Sequence, residues 1–218
     1  MTEFTLWDIV RNLLLAARWT LLLSAIAFVG GGLLAAPVTM ARISESASLR
    51  HAAKGYIALL QGTPLLVQLF LAFFGLALLG YNVPPLAAAS LALTLYTSAF
   101  LAEIWRGAIE AVPRGQWEGA KSLALNRMQQ MRLIIVPQAL RVGIAPTAGF
   151  SVQVVKGTAL ASVIGFVELT KAGTVISNAT FDAFRVYGLV ALFYFALCYP
   201  LSLAAKSLER RMGAGQGG

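Results

Sequence analysis

The chain has 218 residues, of which 58% are hydrophobic and only 12% charged, with a formal net charge of +8. Soluble domains are about 45–50% apolar and about 25% charged, so lipid is the expected solvent. The basic excess is not a nucleic-acid footprint, because the lysines and arginines sit at the edges of apolar runs, where orientation signals belong. A lone cysteine, Cys198, excludes an internal disulfide, and a lone histidine, His51, with scattered carboxylates gives no metal cluster and implies no cofactor.

Met1–Arg18 is mixed in charge, and Phe4 and Trp7 suit a membrane interface. The uncharged run Trp19–Ala41 exceeds the roughly 20 residues that cross a bilayer. A signal peptide would have a shorter apolar core after a basic start, so a retained span is expected, over about 13–41. After the polar connector Arg42–Lys54, the uncharged stretch Gly55–Ala102 has room for two spans, about 56–80 and 86–106. Gly80-Tyr81-Asn82-Val83-Pro84-Pro85 marks the turn between them. Inside the first of the two, Gly62, Thr63 and Pro64 break the helix and free backbone polar groups. Such backbone is tolerated at membrane depth only against protein or a water-filled cavity.

The loop 112–141 is the longest charge-bearing segment between apolar runs. Pro113 and Gly115 open it. Gln116–Leu125 reads as a short helix with Trp117, Ala120, Lys121 and Ala124 on one face. Asn126 and Gln129 have the spacing of an N-cap and its reciprocal partner, so a second helix starts there and runs to Pro137. The result is a helical elbow at a membrane surface. A fourth span follows at about 142–167, uncharged except for Lys156. That lysine lies about 22 Å along the span from Arg141. A lone ammonium at such depth should face the bundle interior or water. Ser151, Gln153, Thr158 and Ser162 add polar atoms to the same span. The fifth span, about 186–206, leads to a basic end and a glycine-rich tail expected to fray.

Five spans place the termini on opposite sides. One side collects Arg42, Arg50, Lys54, the elbow's cations, Lys206, Arg210 and Arg211; the other has Arg11, Arg18, Lys171 and Arg185. The positive-inside rule then puts the N-terminus outside and the elbow and C-terminus in the cytoplasm.

Several segments resemble one family in order. Glu118-Gly119-Ala120, then Ala124, then Ile135-Val136-Pro137 looks like the EAA loop of bacterial ABC importer permeases, with Gly119 where alanine and Ala124 where glycine are usual. Gly62-Thr63-Pro64-Leu65-Leu66-Val67-Gln68 resembles a run of the polar amino acid permeases, with Gln61 for the usual arginine. Glu103 and Arg106 fall in a similar segment, and three-residue spacing lets them pair and hold the elbow's angle. Lys156–Gly165 is similar to a family segment in which aspartate stands at Gly157. Glu168-Leu169-Thr170 matches an outer-side motif. The resemblance is to the histidine- and glutamine-type permease subunits.

The resemblance implies an all-α membrane protein of the type I importer permease fold, a single permease domain over 1–218 in the bacterial inner membrane. Its implied partners are an ATP-binding cassette ATPase dimer, a second identical or related permease, and a periplasmic or surface solute-binding protein. It implies ATPase coupling through Trp117, Glu118, Gly119, Ala120, Ala124, Leu125 and Asn126. Gly62, Thr63, Pro64, Gln68, Ser151, Lys156, Thr158, Ser162 and Glu168 are the expected pathway or gate residues, for an amino acid or similar small polar solute. No phosphate-cradling G-x-x-x-x-G-K-S/T sequence is present, so hydrolysis belongs to another chain. The alternative, a self-contained secondary transporter or channel, usually needs carboxylates within its apolar runs, and there are none.

Overall fold

A computed structural model describes residues 5–213; Phe4 and most of the glycine-rich tail fall outside them. Helix α1 (Leu6–Arg42) begins at Thr5, whose hydroxyl accepts from the Asp8 amide while the Asp8 carboxylate accepts from the Thr5 amide. This reciprocal cap starts the helix seven residues before the expected span, among the charges of the N-terminal segment. Helices α2 (Ala47–Gly62) and α3 (Leu65–Leu78) meet at a bend of 100°. Helix α4 is Pro85–Glu110, and the elbow helix α5 is Arg114–Ser122. Helix α6 runs Arg127–Ile164, ending in a 3₁₀ stretch from Thr158. Helices α7 (Leu169–Thr180) and α8 (Ala183–Gly213) complete the chain.

Among the described residues, α1, α4, α6 and α8 are each long and apolar enough to cross a bilayer, and α2 with α3 pass the same test together. Parallel packing of α1 and α4 explains why that bent pair must carry the chain back. A Cβ on Gly30 would meet Thr94, and one on Gly31 would lie 2.5 Å from Thr97. Further along, Thr39 donates to the Ala102 carbonyl and Arg42 pairs with Glu103. Small residues let the two backbones close up, as helices in lipid require. Leu23 and Ala27 of α1, Leu69 of α3, Ala88, Ala89, Ala92 and Leu93 of α4 and Val154 of α6 then form the central core. Ile9, Leu13 and Ala17 pack against α7 and α8 in a second one.

The break at Thr63-Pro64 has a built-in replacement for the lost helical bonds. The buried Gln68 amide donates to the carbonyls of Leu60 (2.8 Å) and Thr63 (3.1 Å) and to the Thr63 hydroxyl (3.0 Å). One side chain thus satisfies carbonyls that the end of α2 would leave bare.

Two expected boundaries in the elbow differ. The second helix of the elbow does not stop at Pro137 but continues into the fourth span. A π-helical stretch, Gln130–Ile135, precedes the proline and accommodates the residue that cannot donate within the ladder. The first elbow helix stops at Ser122 rather than Leu125, because Ala124 turns to a left-handed φ of 53°.

Candidate functional site

The elbow is held by one face and shows the other. Val112 and Ala120 are buried, and Trp117 packs among Ile109, Met131 and Ile135. Glu118, Gly119, Lys121 and Ala124 are exposed, so Lys121 and Ala124 do not share the buried face with Trp117 and Ala120. The helix closes in a Schellman turn: the Leu125 amide donates to the Ala120 carbonyl (3.4 Å) and the Ala124 amide to that of Lys121 (2.9 Å). Asn126 then caps α6, accepting from the Gln129 amide at 3.0 Å while the Gln129 side chain accepts from the Asn126 amide at 2.9 Å. The capping pair is as its spacing foretold.

Distant segments fix the elbow's angle. Arg127 donates to the Ile43 carbonyl at 2.6 Å and pairs with the Glu45 carboxylate, strapping the α1–α2 loop to the start of α6. The Gln130 amide donates to the Leu125 carbonyl at 2.6 Å, and the Gln138 amide to the Gln116 side chain at 3.1 Å. Above them, Arg106 pairs with Glu103 at 2.7 Å and with Glu110, while Glu103 also approaches Arg42 at 3.3 Å. The Arg42–Glu103 contact is an ion pair without hydrogen-bond alignment. Sequence spacing showed the Glu103–Arg106 pair; Arg42 and Glu45 join only through the fold. Leu123 and Met128, 70% and 74% exposed, add apolar side chains around the exposed elbow, and no sequence pattern marked them.

The residues expected along a pathway divide by environment. Lys156 is exposed on the surface of α6, as is Gln153 one turn before it, with Gly149 and Pro146 partly or fully open on the same side. By contrast, Thr158 is fully buried and donates to the Val155 carbonyl (2.7 Å), and Ser151 donates to that of Ala148 (2.6 Å). Ser162 is half-buried. Gly157 is half-buried: a Cβ there would approach Leu65 at 3.3 Å and Leu93 at 3.4 Å, so the glycine lets α6 lie close to α3 and α4. Gly62 and Pro64 are exposed beside the bend, and the Thr63 hydroxyl donates to the Leu59 carbonyl.

Glu168 is fully buried at the junction of α6 and α7. Its carboxylate caps α7 by accepting from the Lys171 amide (2.9 Å), and it also accepts from the Tyr194 hydroxyl of α8 (2.7 Å). The Thr20 hydroxyl of α1 accepts from the Leu169 amide next to it (3.1 Å). Burial raises the carboxyl above the usual glutamate range, opposed by these donors. Glu168 therefore ties α1, α7 and α8 together at the end remote from the elbow.

A bundle of apolar helices of membrane-crossing length, with an exposed elbow anchored by one face, is the build of a multi-pass membrane protein. Residues 28–214 match the family model for the binding-protein-dependent transport system inner membrane component, and the chain belongs to that family. YckA of Bacillus subtilis, described as a probable amino-acid ABC transporter permease protein, is 35% identical over 215 residues, covering 94% of this chain and 95% of its own. The glutamine transport system permease protein GlnP of Escherichia coli K12 is 32% identical over 209 residues, with 95% of each chain covered. A crystal structure of an amino acid ABC transporter with histidines superposes with a TM-score of 0.90 at 32% identity, covering 97% of this chain and 99% of that one. The methionine transporter MetNI in an inward-facing conformation gives a TM-score of 0.80 at 21% identity over the same shares, a likeness of fold. The chain is thus the inner-membrane permease subunit of an ABC importer with the type I fold. It works with a separate ATPase and a binding protein, and hydrolysis is not its own.

Proposed function

We propose that this subunit carries an amino acid across the membrane, along a path bordered by the Gln153–Lys156 face of α6. The supporting observation is Lys156. It is the one charged side chain well inside the fourth span, and it is exposed, with no ion-pair partner among the described residues. An unpaired ammonium at that depth suits a second permease copy across a wet pathway, and it would attract a substrate carboxylate. The names of the relatives agree with an amino acid as cargo.

In this reading the elbow faces the cytoplasm and the N-terminus faces out, following the basic residues. An ATPase dimer grips the elbows of two permeases, touching Glu118, Gly119 and the turn at Ala124–Asn126, while Trp117 and Ala120 hold the elbow to the bundle. ATPase closure moves the elbows, and α6 transmits the motion because the elbow's second helix and the fourth span are one continuous helix. Gly62, Thr63, Pro64 and Gln68 form a bend near the path. Ser151, Thr158 and Ser162 keep α6 in register beside it, and Glu168 secures the outer gate, where the binding protein delivers solute.

The test is ATP-driven uptake into vesicles holding the assembled importer, supplied with its binding protein and candidate amino acids. Lys156→Met is expected to lower uptake at least tenfold while the ATPase still co-purifies. Unchanged uptake by that variant would remove Lys156 from the pathway.

A further inference from the structure

Two cavities adjoin beside the elbow. One is an apolar crevice of about 440 Å³ between α1, α4 and α6, with Trp105, Ala139 and Gly143 in its wall. The other, of about 640 Å³, lies past the end of α1 and is bordered by Arg127 and Arg132. Met40 and Val136 line both, so the two share a wall, with an apolar end at the level of the spans and, at the elbow, an end bordered by Arg127, Arg132 and the Glu45 carboxylate.

The apolar end has little to offer a polar molecule. Its donors are already engaged: the Thr39 hydroxyl with the Ala35 carbonyl (2.8 Å), the Trp105 indole with Thr147 (3.1 Å), and the Thr147 hydroxyl with the Gly143 carbonyl (2.6 Å). Water would find too few partners there to remain ordered. At the basic end, Arg127 is held by Ile43 and Glu45, but Arg132 is exposed and has no ion-pair partner among the described residues. Arg132 precedes Val136 by four residues, about 6 Å of helix. That offset matches the headgroup layer, about 5–7 Å thick on each side of the hydrocarbon.

We propose that these adjoining cavities together bind one anionic phospholipid, with an acyl chain in the crevice and the headgroup phosphate against Arg132. Both ends of the site require it. A free phosphate would leave the crevice empty, and a zwitterionic lipid would set its own cation beside the guanidinium. The bound lipid would touch α1, α4 and the root of the elbow at once, next to the Arg127–Glu45 strap.

Trp105 supplies the readout. A full-length chain with Trp7→Phe, Trp19→Phe and Trp117→Phe keeps it as the sole tryptophan. This chain is reconstituted in phosphatidylcholine vesicles containing equal minor fractions of either phosphatidylglycerol or phosphatidylcholine with brominated acyl chains. Brominated phosphatidylglycerol should associate with Trp105 about fivefold more strongly than its zwitterionic counterpart, the ratio given by ~1 kcal/mol for one basic residue at an anionic leaflet. Arg132→Gln should abolish the difference, while Arg132→Lys and the charge-matched Arg211→Gln keep it. Equal quenching by both lipids would overturn the site. So would a preference that survives Arg132→Gln, which reports general attraction to a basic protein. Weak quenching by both would mean that a neighbouring protein chain, such as a second copy, fills the crevice, and would overturn it too.

Discussion

Ala124 sits where the elbow turns with φ at 53°, the C′ position of a Schellman turn that normally falls to glycine. A left-handed conformation costs an L-residue roughly 1–2 kcal/mol. Glycine avoids that cost but loses about 0.5–1 kcal/mol more backbone entropy on ordering. Ala124→Gly should therefore stabilise the turn by about 0.5–1 kcal/mol, lowering its opening equilibrium about two- to fivefold. The assay is hydrogen exchange on the reconstituted chain, following the amides of Leu123, Ala124 and Leu125, which bond to Gly119, Lys121 and Ala120. Their protection should rise by that factor, while Ala124→Val, branched at Cβ, should reduce it. Unchanged or faster exchange in Ala124→Gly would refute the argument that the alanine is strained.

Two packing predictions come from the same structure. Gly31→Ala places a Cβ 2.5 Å from the Thr97 side chain and 3.2 Å from the Ser98 amide nitrogen, so α1 and α4 must part. The expected loss is about 1–3 kcal/mol, read as a lower midpoint for heat unfolding in detergent; an unchanged midpoint would mean the helices slide apart freely. Gln68→Leu strands the Leu60 and Thr63 carbonyls at the bend, costing about 1–3 kcal/mol by the same assay. Wild-type stability in that variant would show that water caps them instead.

Much of this architecture is legible in the sequence because lipid makes strong demands. Apolar runs, their basic edges and the Gly62–Pro64 break give the spans, and Asn126 with Gln129 gives the capped start of α6. The sequence does not reveal that Pro137 lies inside a continuous helix, since a π-helical detour depends on how Met131 and Ile135 pack. Nor does it separate Ala124 from the elbow's buried face, because helical periodicity carries no information about where Ala124 reverses its φ. The partners of Arg127 and Glu168 are absent from any local pattern: Glu45 is 82 residues away, and Tyr194 is 26. Gly157 shows the same limit. The similar family segment has aspartate there, whereas this fold uses the glycine to admit Leu65 and Leu93.

The central claim is that the exposed face of α5 is where the ATPase grips this subunit, and Glu118→Arg tests it most directly. Glu118 is exposed, so reversing its charge should leave the fold intact. The measurement is co-purification of the ATPase from membranes with the parent chain and with the variant. The account predicts an ATPase bound to the parent and lost from an otherwise folded variant. An ATPase retained equally by both would contradict it and place the coupling surface elsewhere on the subunit.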